Sequence, residues 1–163
     1  DDIHKMIELT EKMPVAVRFI EEMPFNGTGE GYSGLEWNYQ RILDHVMSGF
    51  PNIEKVADGP YSTSKNFRVN GFQGTFGIIA AYSRTFCGTC NRIRITPTGI
   101  LKTCLYDQGV FSIRDVMRNG ADDQQVLSAV RDALSHKAAD GKIAEQQRQN
   151  LRPIKESMAT IGG

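Results

Sequence analysis

Arg92-Ile93-Arg94-Ile95-Thr96-Pro97-Thr98-Gly99-Ile100-Leu101-Lys102-Thr103-Cys104 is the stretch whose reading decides the fold. Charged and apolar residues alternate from Arg92 to Thr96, the period of a strand with one wet face. Pro97-Thr98-Gly99 is a hairpin signal, because glycine takes a positive φ at little cost. Ile100 to Cys104 is therefore expected to return antiparallel. With Thr96 opposite Ile100, Arg94 faces Lys102 and Arg92 faces Cys104. Arg92, Arg94 and Lys102 then share the wet face, and Ile93, Ile95, Leu101 and Thr103 turn onto a core. A slip of one residue would exchange the two faces.

Immediately upstream, Phe86-Cys87-Gly88-Thr89-Cys90-Asn91 carries the other two of the chain's 3 cysteines. The expected hairpin folds Cys104 back beside Cys87 and Cys90. Several readings of the trio stay open. Cysteine is a common buried residue, so free thiols are the plainest. A Cys87–Cys90 disulfide would leave an odd third thiol and calls for an oxidising compartment. A structural zinc ion wants four ligands, while His4, His45 and His136 all lie far from the motif in sequence. A [4Fe–4S] cluster on three thiolates leaves one iron without a protein ligand. That vacancy can take a donor from a bound molecule. The adjacent cations suit an anionic one, since arginine matches phosphate oxygens bidentately and stays charged.

Composition narrows the classes. The chain has 163 residues, enough to bury a core, and a formal net charge of zero. A general nucleic-acid binder would show a basic excess, so any phosphate site must be local. No apolar run approaches the roughly 20 residues of a membrane span. No secretory leader is visible, and cytoplasmic placement is expected. The chain opens on Asp1-Asp2, already in a helical pattern and without an initiator Met, which raises the expectation of a preceding segment.

Working outward, Asp2 to Met13 reads as an amphipathic helix with Ile3, Met6, Ile7 and Leu9 on its apolar stripe. Val15 to Ile20 is a near-continuous apolar strand, the signature of a parallel sheet. No second strand of that kind stands out, so its edge is expected to be unpaired. Glu21 to Met23 sits at its carboxyl end, where α/β barrels carry their chemistry. Asn26 to Gly34 is a glycine-rich loop lacking the phosphate-loop pattern. Leu35 to Met47 reads as a helix containing Trp37, Ile42, Leu43 and Val46. Asn66 to Val69 and Thr75 to Tyr82 read as strands, expected to join the 92–104 hairpin in one small antiparallel sheet. Ser112 caps a short helix to Arg118, and Asp122 to His136 is amphipathic. Ala138 to Asn150 is polar, a helix or a loosely ordered stretch. Chain ends are usually disordered, but Gly162 and Gly163 also make a backbone slender enough for a crowded cleft.

The ordered set F-C-G-T-C-N-R-I-R-I-T-x-x-G-x-L-K-x-C-L, the upstream Val17-Arg18-Phe19-Ile20-Glu21-Glu22-Met23-Pro24 and the final Ile161-Gly162-Gly163 together resemble the molybdenum cofactor biosynthesis protein A family, the radical-SAM GTP 3′,8-cyclases. The resemblance spans essentially the whole chain but only the C-terminal half of the family's usual length. It implies an α/β plus α+β fold: residues 1–34 as the last unit of an incomplete TIM-type barrel, and 35–163 as a C-terminal domain whose small antiparallel sheet carries a cluster. It implies Cys87, Cys90 and Cys104 as ligands of a [4Fe–4S] cluster whose open iron takes the guanine of GTP. Arg92, Ile93 and Arg94 would hold the triphosphate, Met23 would contact S-adenosylmethionine, and Gly162 and Gly163 would reach the active site. It also implies a homodimer, and cyclic pyranopterin monophosphate synthase as the next enzyme. In the family a second [4Fe–4S] cluster, on an N-terminal C-x3-C-x2-C motif, cleaves S-adenosylmethionine to a radical that abstracts the 3′ hydrogen of GTP. That motif is absent here, since all three cysteines belong to the other site. The 163 residues alone are therefore expected to be inactive as a cyclase. The reading from another class is a non-catalytic, zinc-stabilised module that binds a protein partner.

Overall fold

The computed structural model describes residues 2–25, 27, 35–83, 87–148 and 156–161. The chain divides into two compact units, residues 1–23 with 32–86, and residues 24–31 with 87–163.

The first unit is a mixed sheet with two helices against one face. Its elements are α1 (Asp2–Lys12), β1 (Ala16–Ile20), α2 (Tyr39–Gly49), β2 (Ile53–Lys55), β3 (Ser64–Val69) and β4 (Thr75–Ile79). Strand order is β1-β4-β3-β2. β1 runs parallel to β4, with Val17 beside Phe76 and Phe19 beside Ile78. β3 is antiparallel to both β4 and β2. One cross-strand row, Val17–Phe76–Phe67, points at the helices. With Ile7 from α1 and Ile42 and Val46 from α2 it makes the core. The Phe67 and Phe76 rings stack at 5.4 Å.

Two expectations are corrected here. The parallel neighbour of β1 exists: it is β4, whose Phe76, Gly77 and Ile78 are all buried. A parallel pair needs a long crossover, and no local pattern announces which later strand will complete it. α2 starts later than the apolar pattern suggested. The Asn38 side chain accepts a hydrogen bond from Arg41 N at 2.9 Å and caps the helix. Trp37 therefore lies outside it, with the Arg41 guanidinium 4.7 Å from its ring centre.

The second unit holds a 3-10 turn (Cys87–Thr89), β5 (Arg94–Ile95), β6 (Ile100–Lys102), β7 (Phe111–Ser112), α3 (Ile113–Arg118), α4 (Asp123–Ser135), α5 (Gly141–Gln146) and a final 3-10 turn (Met158–Thr160). Its sheet is antiparallel, in the order β5-β6-β7. The hairpin therefore does not join β3 and β4 in one sheet as expected. Side-chain caps start three helices: Ser112 on α3, Asp122 in a capping box on α4, and Asp140 on α5. β2 and β7 are too short to leave a period in the sequence. The glycine-rich loop at 26–34 lies outside the described residues except for Gly27. Among the described residues no helix is long and apolar enough to cross a membrane.

Candidate metal and anion site

The hairpin takes the register its sequence implies. Arg94 pairs with Lys102 and Ile95 with Leu101. Thr96 N donates to Ile100 O at 2.9 Å, and Gly99 N donates to Thr96 O at 2.8 Å. Gly99 has φ +83°, and a Cβ there would stand 2.5 Å from Arg114 Cβ. Only glycine fits that corner without movement.

The faces, however, are not sorted as expected. Lys102 is 1% exposed, and its ammonium lies 3.0 and 3.2 Å from the two oxygens of Glu156. It is therefore no part of a wet cationic face. Ile93 and Ile95 lie exposed rather than in a core, whereas Leu101 and Thr103 are buried. The physical reason is position in the sheet. β6 is the central strand, flanked by β5 and β7, while β5 is a two-residue edge strand. Alternation separates two faces but does not say how well either is covered.

Cys87 opens its 3-10 turn, and Cys90 N closes it onto Cys87 O at 3.1 Å. Cys104 follows β6 in a turn organised by Asp107. One oxygen of that carboxylate accepts from Thr103 N (2.8 Å), Thr103 Oγ1 (3.0 Å) and Cys104 N (2.8 Å), and the other accepts from Gly109 N (2.8 Å). Tyr106 N donates to Cys104 Sγ at 3.4 Å. All three cysteines are half-buried free thiols. Burial pushes the Cys104 thiol above its ordinary value. The charges of Asp107, Cys87 and Cys90 push the same way, against the Tyr106 N–H.

Among the described residues, no three His, Cys, Asp or Glu side chains close around a point where one metal ion would sit. Thiolates on different irons of one cluster stand farther apart than ligands of one ion. The donor set suits an iron–sulfur cluster in its chemistry: three unbridged thiols with N–H donors directed at two of the sulfurs.

The second sulfur donor is Lys137, which sequence reasoning missed. It follows His136, the C-cap of α4. Its ammonium donates to Cys90 O at 3.0 Å and Arg92 O at 2.8 Å, and lies 3.9 Å from Cys90 Sγ. No local pattern links a lysine after a helix to a cysteine turn 47 residues earlier. The Asp107 turn was missed too, although an aspartate two residues before a glycine is a recognisable turn signal.

Arg92 is exposed and Arg94 half-buried, with Ile93 between them. Met23 belongs to the first unit and lies half-buried just beyond the carboxyl end of β1. Beside it in sequence, Glu21 has a structural role that pattern reasoning did not reveal. It is 1% exposed, and its two oxygens take four hydrogen bonds: from Tyr39 N, Tyr82 N, Ser83 N and Ser83 Oγ. Gly162 and Gly163 lie outside the described residues. Ile161 before them is fully buried.

A profile of the family described as Molybdenum Cofactor Synthesis C matches residues 15–143. The chain is 42% identical over 156 residues to "Molybdenum cofactor biosynthesis protein 1" of Homo sapiens, an alignment covering 94% of this chain and 24% of the human protein. It is 37% identical over 170 residues to "GTP 3',8-cyclase, mitochondrial" of Arabidopsis thaliana, covering 100% of this chain and 41% of that protein. It is 30% identical over 161 residues to "GTP 3',8-cyclase" of Rhodopirellula baltica, covering 97% of this chain and 44% of that protein. The chain thus spans about a quarter of the human relative's length and less than half of either cyclase's. The match falls in the C-terminal region of the cyclases.

Proposed function

Because the chain belongs to the Molybdenum Cofactor Synthesis C family, we propose that it works as the GTP-binding, C-terminal part of a GTP 3′,8-cyclase, in the first step of molybdenum cofactor biosynthesis. The observation that carries this reading is the hairpin register. Arg94 pairs with Lys102 and Ile95 with Leu101, a register that, continued beyond the two-residue β5, would set Arg92 towards Cys104 and the thiols it is read to join. Cys87, Cys90 and Cys104 would hold a [4Fe–4S] cluster, which would supply a Lewis-acidic iron open to a donor atom of guanine. The guanidiniums of Arg92 and Arg94, with the Ile93 backbone between them, grip the triphosphate by charge-assisted hydrogen bonds. A base held at one end and phosphates at the other leave the ribose little freedom, which is what selecting one carbon for attack requires.

The remaining parts follow from the same reading. Residues 1–34, with β1, are the end of an incomplete TIM-type barrel, and Met23 at its carboxyl end contacts S-adenosylmethionine. Residues 35–163 are the C-terminal domain. The buried Ile161 anchors the tail so that Gly162 and Gly163 reach the reacting groups. The other half of the enzyme brings a second [4Fe–4S] cluster and S-adenosylmethionine. The 163-residue chain alone is then inactive as a cyclase, because its 3 cysteines are all committed to one site. The whole enzyme is a cytoplasmic homodimer that passes its product to cyclic pyranopterin monophosphate synthase.

Anaerobic reconstitution with iron and sulfide, followed by calorimetric titration with GTP, tests this. Arg92→Ala and Arg94→Ala should each weaken GTP binding by about 1.5–3 kcal/mol. Stoichiometric zinc with no iron–sulfur absorbance, and nucleotide binding indifferent to both arginines, would favour a zinc-stabilised protein-binding module instead.

A further inference from the structure

The ammonium of Lys137 has three donors, and all three are directed at the exit of the C-x-x-C turn: Cys90 O, Arg92 O and the Cys90 sulfur. Lysine at the end of α4 could instead have served the carbonyl end of that helix, where cations are favourable. Its ammonium turns to the cysteine turn, and no carboxylate pairs with it among the described residues. The ammonium carries a full positive charge, which only an anionic neighbour would offset. Here the neighbours are two carbonyl dipoles and a thiol, so its charge is left over.

That surplus has an obvious counterpart if the three thiols hold a cluster. Three thiolates carry more negative charge than the oxidised core carries positive, and each electron added makes the assembly more negative still. We propose that Lys137 is the positioning residue and counter-cation of the cysteine site. It clamps the backbone from Cys90 to Arg92 and sets a fixed positive charge against the cluster's negative one. The clamp fixes Cys90 at one end and the start of the Arg92–Arg94 segment at the other, so one side chain ties the metal ligand to the anion grip. This inference rests on the cluster reading of the three thiols.

The test uses the 163-residue chain, reconstituted anaerobically, as wild type and as Lys137→Met, Lys137→Gln and Lys137→Arg. Iron per chain, loss of iron to a chelator and the midpoint potential of one-electron reduction by a mediated electrode are measured. Removing a nearby positive charge makes an added electron less welcome. Met and Gln should therefore shift the midpoint to more negative values, while Arg stays near wild type. Iron affinity in the Met variant should fall about 10–100-fold, the usual effect of losing a ligand's outer support. If Met does not fold by circular dichroism, the Gln and Arg pair carries the comparison, since Gln keeps hydrogen-bonding capacity and drops the charge. Wild-type potentials in Met and Gln, even with faster iron loss, would overturn the counter-cation role. A wild-type chain that takes up no iron would overturn the cluster assignment itself, and this one with it.

Discussion

Replacing Glu21 by Gln is a severe test of how the end of β1 is held. Both carboxylate oxygens accept from backbone amides: one from Tyr39 N at 2.7 Å, the other from Tyr82 N at 3.0 Å and Ser83 N at 2.7 Å. A glutamine amide offers one oxygen and one NH2 group. In either orientation the NH2 group meets at least one backbone N–H, donor against donor. The cheaper orientation puts it towards Tyr39 N, where Ser83 Oγ, 2.7 Å from the same oxygen, can rotate to accept. One charge-assisted bond is then lost outright, and a hydrogen bond to a charged group contributes about 1.5–3 kcal/mol. The other two amide bonds survive in weaker, neutral form. The expected cost is therefore about 2–3 kcal/mol, with Glu21→Ala costing at least as much. Urea denaturation followed by circular dichroism reads this as a lower midpoint at unchanged slope. A loss below about 0.5 kcal/mol, the scale of an ordinary surface change, would refute the claim that this carboxylate pins β1, the start of α2 and the segment entering the cysteine turn.

Further outcomes follow from other contacts. Glu156→Ala leaves the Lys102 ammonium buried without its partner. Breaking a buried pair costs about 3–5 kcal/mol, and since Glu156 is 34% exposed about 2–3 kcal/mol is expected in urea melts. Lys102→Met should cost less, because it abandons only the more exposed partner, and the reverse order would contradict this account. Burial works against ionising Asp58, but hydrogen bonds from Lys55 and Asn66 N and the charges of Lys55 and Lys65 outweigh it and hold its carboxyl below the ordinary range. Its stabilising contribution is present above the unfolded value and is lost as pH falls below about 4. The stability gap between wild type and Asp58→Asn should thus be open at neutral pH and close in acid. Gly99→Ala, at φ +83° and against Arg114 Cβ, should cost about 1–2 kcal/mol from the backbone alone, measured as a fall in melting temperature.

The parts of the site legible in the sequence are those encoded within a few residues of one another. Alternation on either side of Pro97-Thr98-Gly99 was enough to set Arg94 against Lys102 and Ile95 against Leu101. Ser112 announced its helix because a cap acts on an amide three residues away, and the helix after Asp122 showed in its amphipathic period. Even the near-continuous apolar character of β1 was a sound sign of a parallel neighbour, although β4 itself was assigned to another sheet. Three features stayed hidden: the Lys102–Glu156 pair, the Lys137 clamp and the four-donor cradle of Glu21. Each is a polar side chain whose partner lies far along the chain, 54, 47 and up to 62 residues away. In sequence a lysine or a glutamate with such a partner looks the same as a solvated one.

The amino-acid order by itself determined the hairpin and its register, the capped start of α3, and the ordered set of cysteines and arginines that marks the family, because periodicity, turn chemistry and capping act between near neighbours. Only the tertiary structure decided that β1 pairs with β4, that Lys102 is buried while Ile93 and Ile95 are exposed, that Glu21 holds Tyr39, Tyr82 and Ser83, and that Lys137 holds Cys90 and Arg92. Burial and long-range pairing depend on which surfaces the whole chain brings together, and no local period carries that information.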